Sequence, residues 1–173
     1  MKLNLGCGYN YIKGYVNVDN SNYVKKDVKC DLDKYPLPFK DNSIDEILSM
    51  AIIEHLKDNF KFMEEIHRIL KPGGTMKFRV PMAFTFVDAR DPSHKQHFIP
   101  RTFDVYLKGF KSYKVTDIKF KGKIWITMPF FHKIRFSKKL YYLNSIINNL
   151  FTGIEGELIK IDNNKRKDGG NGK

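Results

Sequence analysis

An α/β domain on a mostly parallel sheet is the fold class that this 173-residue chain predicts, and three observations carry it. Short apolar strand-like runs alternate with helical periodicity, the pattern of parallel strands with helices packed on both faces. Several of those runs end on a glycine or an acid, at Gly6, Asp19 and Asp31, where ligands of such sheets bind beyond the carboxyl ends of the strands. A hydrophobic share of 42% and an aromatic share of 14% suit one packed domain rather than a disordered chain.

The elements follow in order. Residues 2–5 alternate and reach Gly6, a strand ending in a turn. Residues 15–19 place Val16 and Val18 before Asp19 and read as the second strand. A short strand is expected within 24–32. Tyr35-Pro36-Leu37-Pro38-Phe39 is an extended, proline-set segment. Residues 44–49 read as a buried strand. Asp58 is the expected N-cap of a helix carrying Phe62, Ile66, Ile69 and Leu70 at helical spacing. Pro72-Gly73-Gly74 should stop it, and residues 75–80 form the next strand, stopped by Pro81. The pattern then breaks from Met82 to Pro100, a candidate functional loop. A short helix over 101–107, a strand over 113–120, a helix over 140–151 and a final strand over 157–161 complete the reading. Residues 1–162 are expected as a single domain with a basic aromatic insertion at 122–152, and residues 163–173 as a frayed polar tail.

Net charge is +12, concentrated over residues 107–140. Such a basic half suits nucleic acid, a membrane surface or another polyanion, or simply a solvated lysine-rich face. Two cysteines, Cys7 and Cys30, form no disulfide framework, so a reducing, cytoplasmic setting is expected. An apolar run begins almost at once and leaves no room for a secretion signal. No window is long and apolar enough to span a membrane.

Two closely spaced glycines after a strand, Gly6 and Gly8, let backbone approach a ligand where a side chain would clash. The spacing fails the dinucleotide fingerprint, because the next glycine is Gly14. Asp19 can accept both hydroxyl protons of a ribose, or cap a loop. Asp31-Leu32 can read an adenine edge with a carboxylate, a backbone N–H and an apolar cover.

Taken as an ordered set, these residues resemble the class I S-adenosylmethionine-dependent methyltransferases, in a small, reduced type-11-like branch. Leu3-Asn4-Leu5-Gly6-Cys7-Gly8 looks like their first motif, and Val18-Asp19 like the strand-two acid. Asp31-Leu32 looks like the adenine contact. Residues 37–45, Glu54-His55-Leu56 and Arg68-Ile69-Leu70-Lys71-Pro72-Gly73-Gly74 follow the family pattern. The resemblance covers about residues 2–110. It implies a Rossmann-like three-layer sheet with an antiparallel edge strand. It also implies S-adenosylmethionine as cofactor, held by Asn4, Gly6, Cys7, Gly8, Asp19, Asn20, Asp31, Leu32, Ser49 and Met50. Two departures matter. Asn4 stands where the family carries an acid. The connection from Gly8 to Tyr15 is too short for the first helix, since parallel strands need a dozen or more connecting residues; a loop is expected there instead.

The resemblance implies methyl transfer, with members associated with sugar or polysaccharide modification. A hydroxyl acceptor benefits from a general base, and histidine titrates in the right range. His55 follows the fourth strand. His94 and His97 lie in the Asp88–Phe98 stretch, read as an acceptor-binding loop. Two histidines and two acids in that stretch invite a metal, but the spacing is no zinc pattern and the hard-cation ligand set is incomplete, so none is expected. A sugar, glycan or other small-molecule acceptor is the first reading, and an RNA methyltransferase the second. A non-catalytic cofactor- or partner-binding module is the third. The Phe130–Phe136 stretch and the helix after it can lie on a membrane surface and meet a lipid-linked sugar, or pack on the domain or a partner.

Overall fold

The computed structural model describes residues 1–103, 120–127, 134–135 and 152–161, with only the backbone course given for 120–127 and 134–135. Strands β1 (Lys2–Leu5), β2 (Val16–Asp19), β3 (Val28–Lys29), β4 (Ile44–Met50), β5 (Leu70–Pro81), β6 (Phe120–Thr127), β7 (Ile134–Arg135) and β8 (Gly153–Lys160) make one sheet. Its order is β3-β2-β1-β4-β5-β8-β6-β7. The first five strands pair in parallel. β8 enters antiparallel between β5 and β6, and the edge strand β7 runs antiparallel to β6. The α/β class and the mostly parallel sheet are as expected. The last strand starts earlier than the 157–161 expectation and is interior. Residues 122–127, expected in the insertion, run within β6.

Register separates two faces. One row runs Val16, Leu3, Ile47, Met76, Leu158 across five strands, and all but Val16 are at most 1% exposed. Each such apolar side chain contributes about 1.5–3 kcal/mol. The next residue along each strand points to the other face: Asn17, Asn4, Leu48, Lys77 and Glu157. That second face is largely polar. Glu46 bridges Lys2 at 2.9 Å and Lys77 at 3.2 Å, and the Lys2 ammonium stands 5.5 Å from the Tyr15 ring centre. A helix after β1 would need an apolar face to pack on. β1 instead reaches β2 through residues 6–15 without a helix, as the short connection predicts.

Helix α1 (Asn59–Ile69) begins at the expected cap. The Asp58 side chain accepts from the backbone N–H groups of Phe60 and Lys61. Phe62, Met63, Ile66 and Ile69 face the core. The helix ends at Ile69 and β5 starts at once, five residues before the expected Thr75. The register moves from Ile44↔Leu70 to Glu46↔Thr75, so the Pro-Gly-Gly segment is a bulge on an existing strand. Arg68 fastens the 37–41 segment to this helix, donating to Glu65, Asp41, Phe39 O and Leu37 O.

The Met82–Pro100 segment is held at both ends. Met82 bridges Phe98, and Ala83 N donates to Phe98 O at 2.7 Å. Phe98 and Phe78 both stack on Phe103. Within the segment, α2 (Phe86–Ala89) is a single turn capped by Thr85. The expected 101–107 helix is, where described, a 3-10 turn over Pro100–Phe103. The 140–151 helix, most of the 113–120 strand, the Phe130–Phe136 stretch except its 134–135 strand, and the 163–173 tail lie outside the described residues. No helix among the described residues is long and apolar enough to cross a membrane.

Candidate functional site

Two neighbouring regions form at the carboxyl ends of the parallel strands. The first is the glycine turn. Gly6 has φ +65°, and a Cβ there would stand 2.4 Å from Ile52 Cγ1, so only glycine fits. Gly6 and Cys7 donate their N–H groups to Val18 O at 2.8 and 3.1 Å. Gly8 has φ +51°, yet a Cβ there would meet nothing within 4 Å. Its N–H donates to Asp19 Oδ2 at 2.8 Å, while Asp19 Oδ1 accepts from Ser21 N at 2.8 Å. The Asp19 carboxylate is thus fixed beside open space, with lone pairs left on both oxygens.

The other expected cofactor residues divide. Asn4 is 3% exposed, and both its amide protons are spent, on Asn10 O at 2.9 Å and Asn17 Oδ1 at 3.0 Å. Its place in the structure is to hold the helix-less loop. Cys7 is buried, with Sγ 3.6 Å from Lys25 O. Asn20 is exposed after β2. Asp31 is tied to the Asp19 end of β2 through its neighbour, Cys30 N donating to Asp19 O at 3.1 Å. Its own Oδ1 accepts from Asp33 N. Leu32 is packed in the core at 6% exposure. Ser49 is fully buried with no hydrogen-bond partner for its hydroxyl, while Met50 is 40% exposed at the strand end.

A cleft of about 280 Å³ is lined from Ala51 onward, next to Ile52, which packs at Gly6. Glu54 and His55 enter it from the 3-10 turn Ile53–His55. Arg79 to Pro81 enter from the end of β5, and Thr152 and Gly153 from the start of β8. Val87, Arg90, Asp91 and His94 enter from the 82–100 segment. None of the ten expected cofactor residues lines it.

The cleft brings together His55 and His94, with ring centres 4.9 Å apart. His94 is oriented by Asp88, whose carbonyl lies 2.9 Å from Nδ1. His97, the third expected histidine, is not brought to the cleft. Its ring is 59% exposed and bonds the buried Asp88 carboxylate at 2.9 Å. Glu54 is 1% exposed with Oε2 unpartnered. Burial drives its carboxyl up to about 7. Its own backbone N–H and His94 pull the other way, and Asp91 and Asp88 push it further up. Reasoning from sequence selects His55, names Glu54 only as part of a motif, and counts Asp88 only among the acids that invite a metal. The signal for Glu54 is an acid set among Ile52, Ile53 and Leu56, a segment otherwise bound for the core. Asp88 carries no comparable signal, since its burial depends on the folded segment.

Strand order, the glycine turn and a fixed acid at the end of β2 define a Rossmann-like methyltransferase-type domain. Residues 3–78 match the family described as "Methyltransferase domain", and the chain is similar in sequence and fold to S-adenosylmethionine-dependent methyltransferases. A probable S-adenosylmethionine-dependent methyltransferase of Mycolicibacterium smegmatis is 34% identical over 49% of this chain and 32% of its own length. A human mitochondrial arginine hydroxylase is 31% identical, covering 43% of this chain and 26% of its own. The chain spans about a third or less of the curated relatives it matches. A methyltransferase structure from Archaeoglobus fulgidus superposes over 92% of this chain and 85% of its own, with TM-score 0.63 and 17% identity, a likeness of fold.

Proposed function

We propose that this protein transfers a methyl group from S-adenosylmethionine to a hydroxyl of a sugar, glycan or other small molecule. One observation carries the reading: a small cleft with two histidines, His55 and His94, is lined from Ala51 onward, and the adjoining Ile52 packs against Gly6 of the glycine turn. The residues fit the cofactor, because the space that a Cβ on Gly8 would fill is open and adjoins the fixed Asp19 carboxylate. Gly6, Gly8 and Asp19 would hold it, with Asp31 and Met50 nearby in the fold. When bound, the cofactor supplies a methyl group already activated by its sulfonium.

The chain's own residues then have two tasks. The cleft must align the acceptor, which is where most of the rate comes from in such a transfer. A group in the cleft takes the acceptor's proton, and the lining histidines, His55 and His94, are the candidates. Arg79 and Arg90 in the lining favour an acceptor carrying phosphate, such as a nucleotide sugar or a lipid-linked glycan at a membrane surface. The free thiols of Cys7 and Cys30 support a cytoplasmic setting.

The test is transfer of labelled methyl from S-adenosylmethionine to a panel of nucleotide sugars, glycans and RNA, with calorimetry of cofactor binding alongside. Transfer to a phosphorylated sugar is the expected result. Transfer to RNA alone would move the assignment to nucleic acid, and absence of cofactor binding would remove the enzymatic reading.

A further inference from the structure

The geometry points to a divalent transition-metal site formed by Glu54, His55 and His94. Each of the three offers a ligand atom, and these atoms all lie within 4.8 Å of one another. Two histidines and one carboxylate from the protein, with further positions open to a cleft, are the ligand set of zinc hydrolases and of non-haem iron centres.

Hydrogen bonding has already chosen the nitrogen each ring would offer. Ser93 Oγ donates its proton to Asp91 Oδ1 at 2.6 Å. Its contact with His55 Nδ1 at 3.0 Å therefore requires the ring to donate, as does the Ser93 carbonyl at 3.3 Å. His94 Nδ1 faces the Asp88 carbonyl at 2.9 Å, which can only accept. In the neutral form these contacts put the ring hydrogen on Nδ1 of both histidines and leave Nε2 free to bind a metal. Metal-bound histidines are oriented in this way, the far nitrogen donating to a carbonyl or carboxylate.

Glu54 supplies the independent observation. Its side chain is almost wholly buried, and Oε2 has no hydrogen-bond partner, a costly arrangement for a polar atom unless a ligand satisfies it. Asp91 Oδ2 stands 3.8 Å from His94 Nε2 and adds a second carboxylate at the rim. In a tetrahedral shell with bonds of about 2.0–2.2 Å, donors sit closer than the present 4.8 Å limit. Loading draws together any pair of donors that stands near that limit. The set joins Glu54-His55 to His94 from a distant stretch of chain, so motif spacing within the 88–98 segment could not reveal it.

The site's effect on methyl transfer rests on the reading proposed above. With the ion bound, His55 and His94 are ligands and not bases. An acceptor hydroxyl coordinated at an open position becomes more acidic and releases its proton to water.

The test is titration of Co2+ into the metal-free full chain, read by visible absorbance. We expect saturation at one equivalent, with d–d bands and no thiolate charge-transfer band. Glu54→Gln and His94→Ala should each weaken binding at least about tenfold, and Cys30→Ser should leave it unchanged. Circular dichroism identifies any variant that fails to fold, and the remaining one then decides. No saturable binding of Co2+, Zn2+, Mn2+ or Fe2+ overturns the site, as does a thiolate band or full affinity in the folded variants. Metal binding without calorimetric binding of S-adenosylmethionine leaves the site standing and removes the methyl-transfer reading. Cofactor binding and transfer that are indifferent to metal and chelator remove the metal's role in the transfer and leave the methyl-transfer reading standing.

Discussion

The Asn4 side-chain amide donates to Asn17 Oδ1 across 3.0 Å, inside the protein, from β1 to β2. Asn17 also accepts from Ile12 N, and donates to Ile12 O, Tyr15 O and Asp27 Oδ2. Two amide side chains thus fix the path of the helix-less loop between β1 and β2. Asn4 lacks the family's charge, but it gives the loop a partner that a carboxylate, which only accepts, could not supply to Asn10 O.

Asn17→Ala should therefore loosen the loop and the glycine turn together. It orphans the Asn4 amide and several backbone groups, at a cost of about 2–4 kcal/mol. Urea denaturation should show a lower midpoint, and calorimetry weaker cofactor binding. An unchanged midpoint would sink this account of the loop.

Gly6 and Gly8 should respond differently to alanine. Both have positive φ, which costs about 1 kcal/mol for any other residue. Gly6→Ala adds a clash with Ile52 and should lower the thermal midpoint by several degrees more than Gly8→Ala. Gly8→Ala meets open space in the protein, so its main effect should be on cofactor affinity, a loss of tenfold or more. Equal effects on stability and binding in the two variants would contradict this division.

Lys160, 9% exposed, donates to Asn42 Oδ1, His67 O and Leu70 O at 2.7, 2.7 and 2.8 Å. It joins β8 to the end of α1, where helix carbonyls lack partners of their own. Lys160→Met keeps the stem but strands three acceptors, and should destabilise by about 2–4 kcal/mol. A loss under about 0.5 kcal/mol, the range of an ordinary surface change, would show that water replaces the ammonium.

His67 predicts a pH dependence. Burial holds its imidazole down to about 4, with the Lys160 ammonium adding to the effect. Unfolded, it titrates near 6.5. Between those values the unfolded state takes up a proton that the folded state refuses, so His67 lowers stability as pH falls from about 6.5 to 4. Glu54, with its raised carboxyl, acts with the opposite sign over about 4.5 to 7. The comparison that isolates His67 is wild type against His67→Gln. The variant should lose less stability on acidification through this window, measured by denaturation at fixed pH steps. Parallel curves would refute the assignment.

Much of the glycine turn and its surroundings is legible in the sequence because its residues lie next to one another at strand ends. Gly6, Gly8 and Asp19 are found by reading where β1 and β2 stop. The missing helix is legible by counting residues between them. The cleft is different. Glu54, His55, Arg79, Asp91, His94 and Thr152 come from separate segments that meet only because β4, β5 and β8 are neighbours. Asn4 shows a subtler limit: its strand-end position suggests ligand contact, but its partners lie across the sheet. Leu32 likewise reads as a ring cover from sequence, and the core claims it.

The interior position of β8 sets an order on the making of this protein. β5 has its second hydrogen-bonding neighbour only once residues 153–160 have left the ribosome, and the wall formed by Thr152 and Gly153 arrives with them. Until then the nascent chain can assemble the parallel half, glycine turn included, while β5 stands as an unprotected border open to self-association. A stalled or truncated product would thus carry the glycine turn and Asp19, would lack a finished cleft, and would be prone to clump.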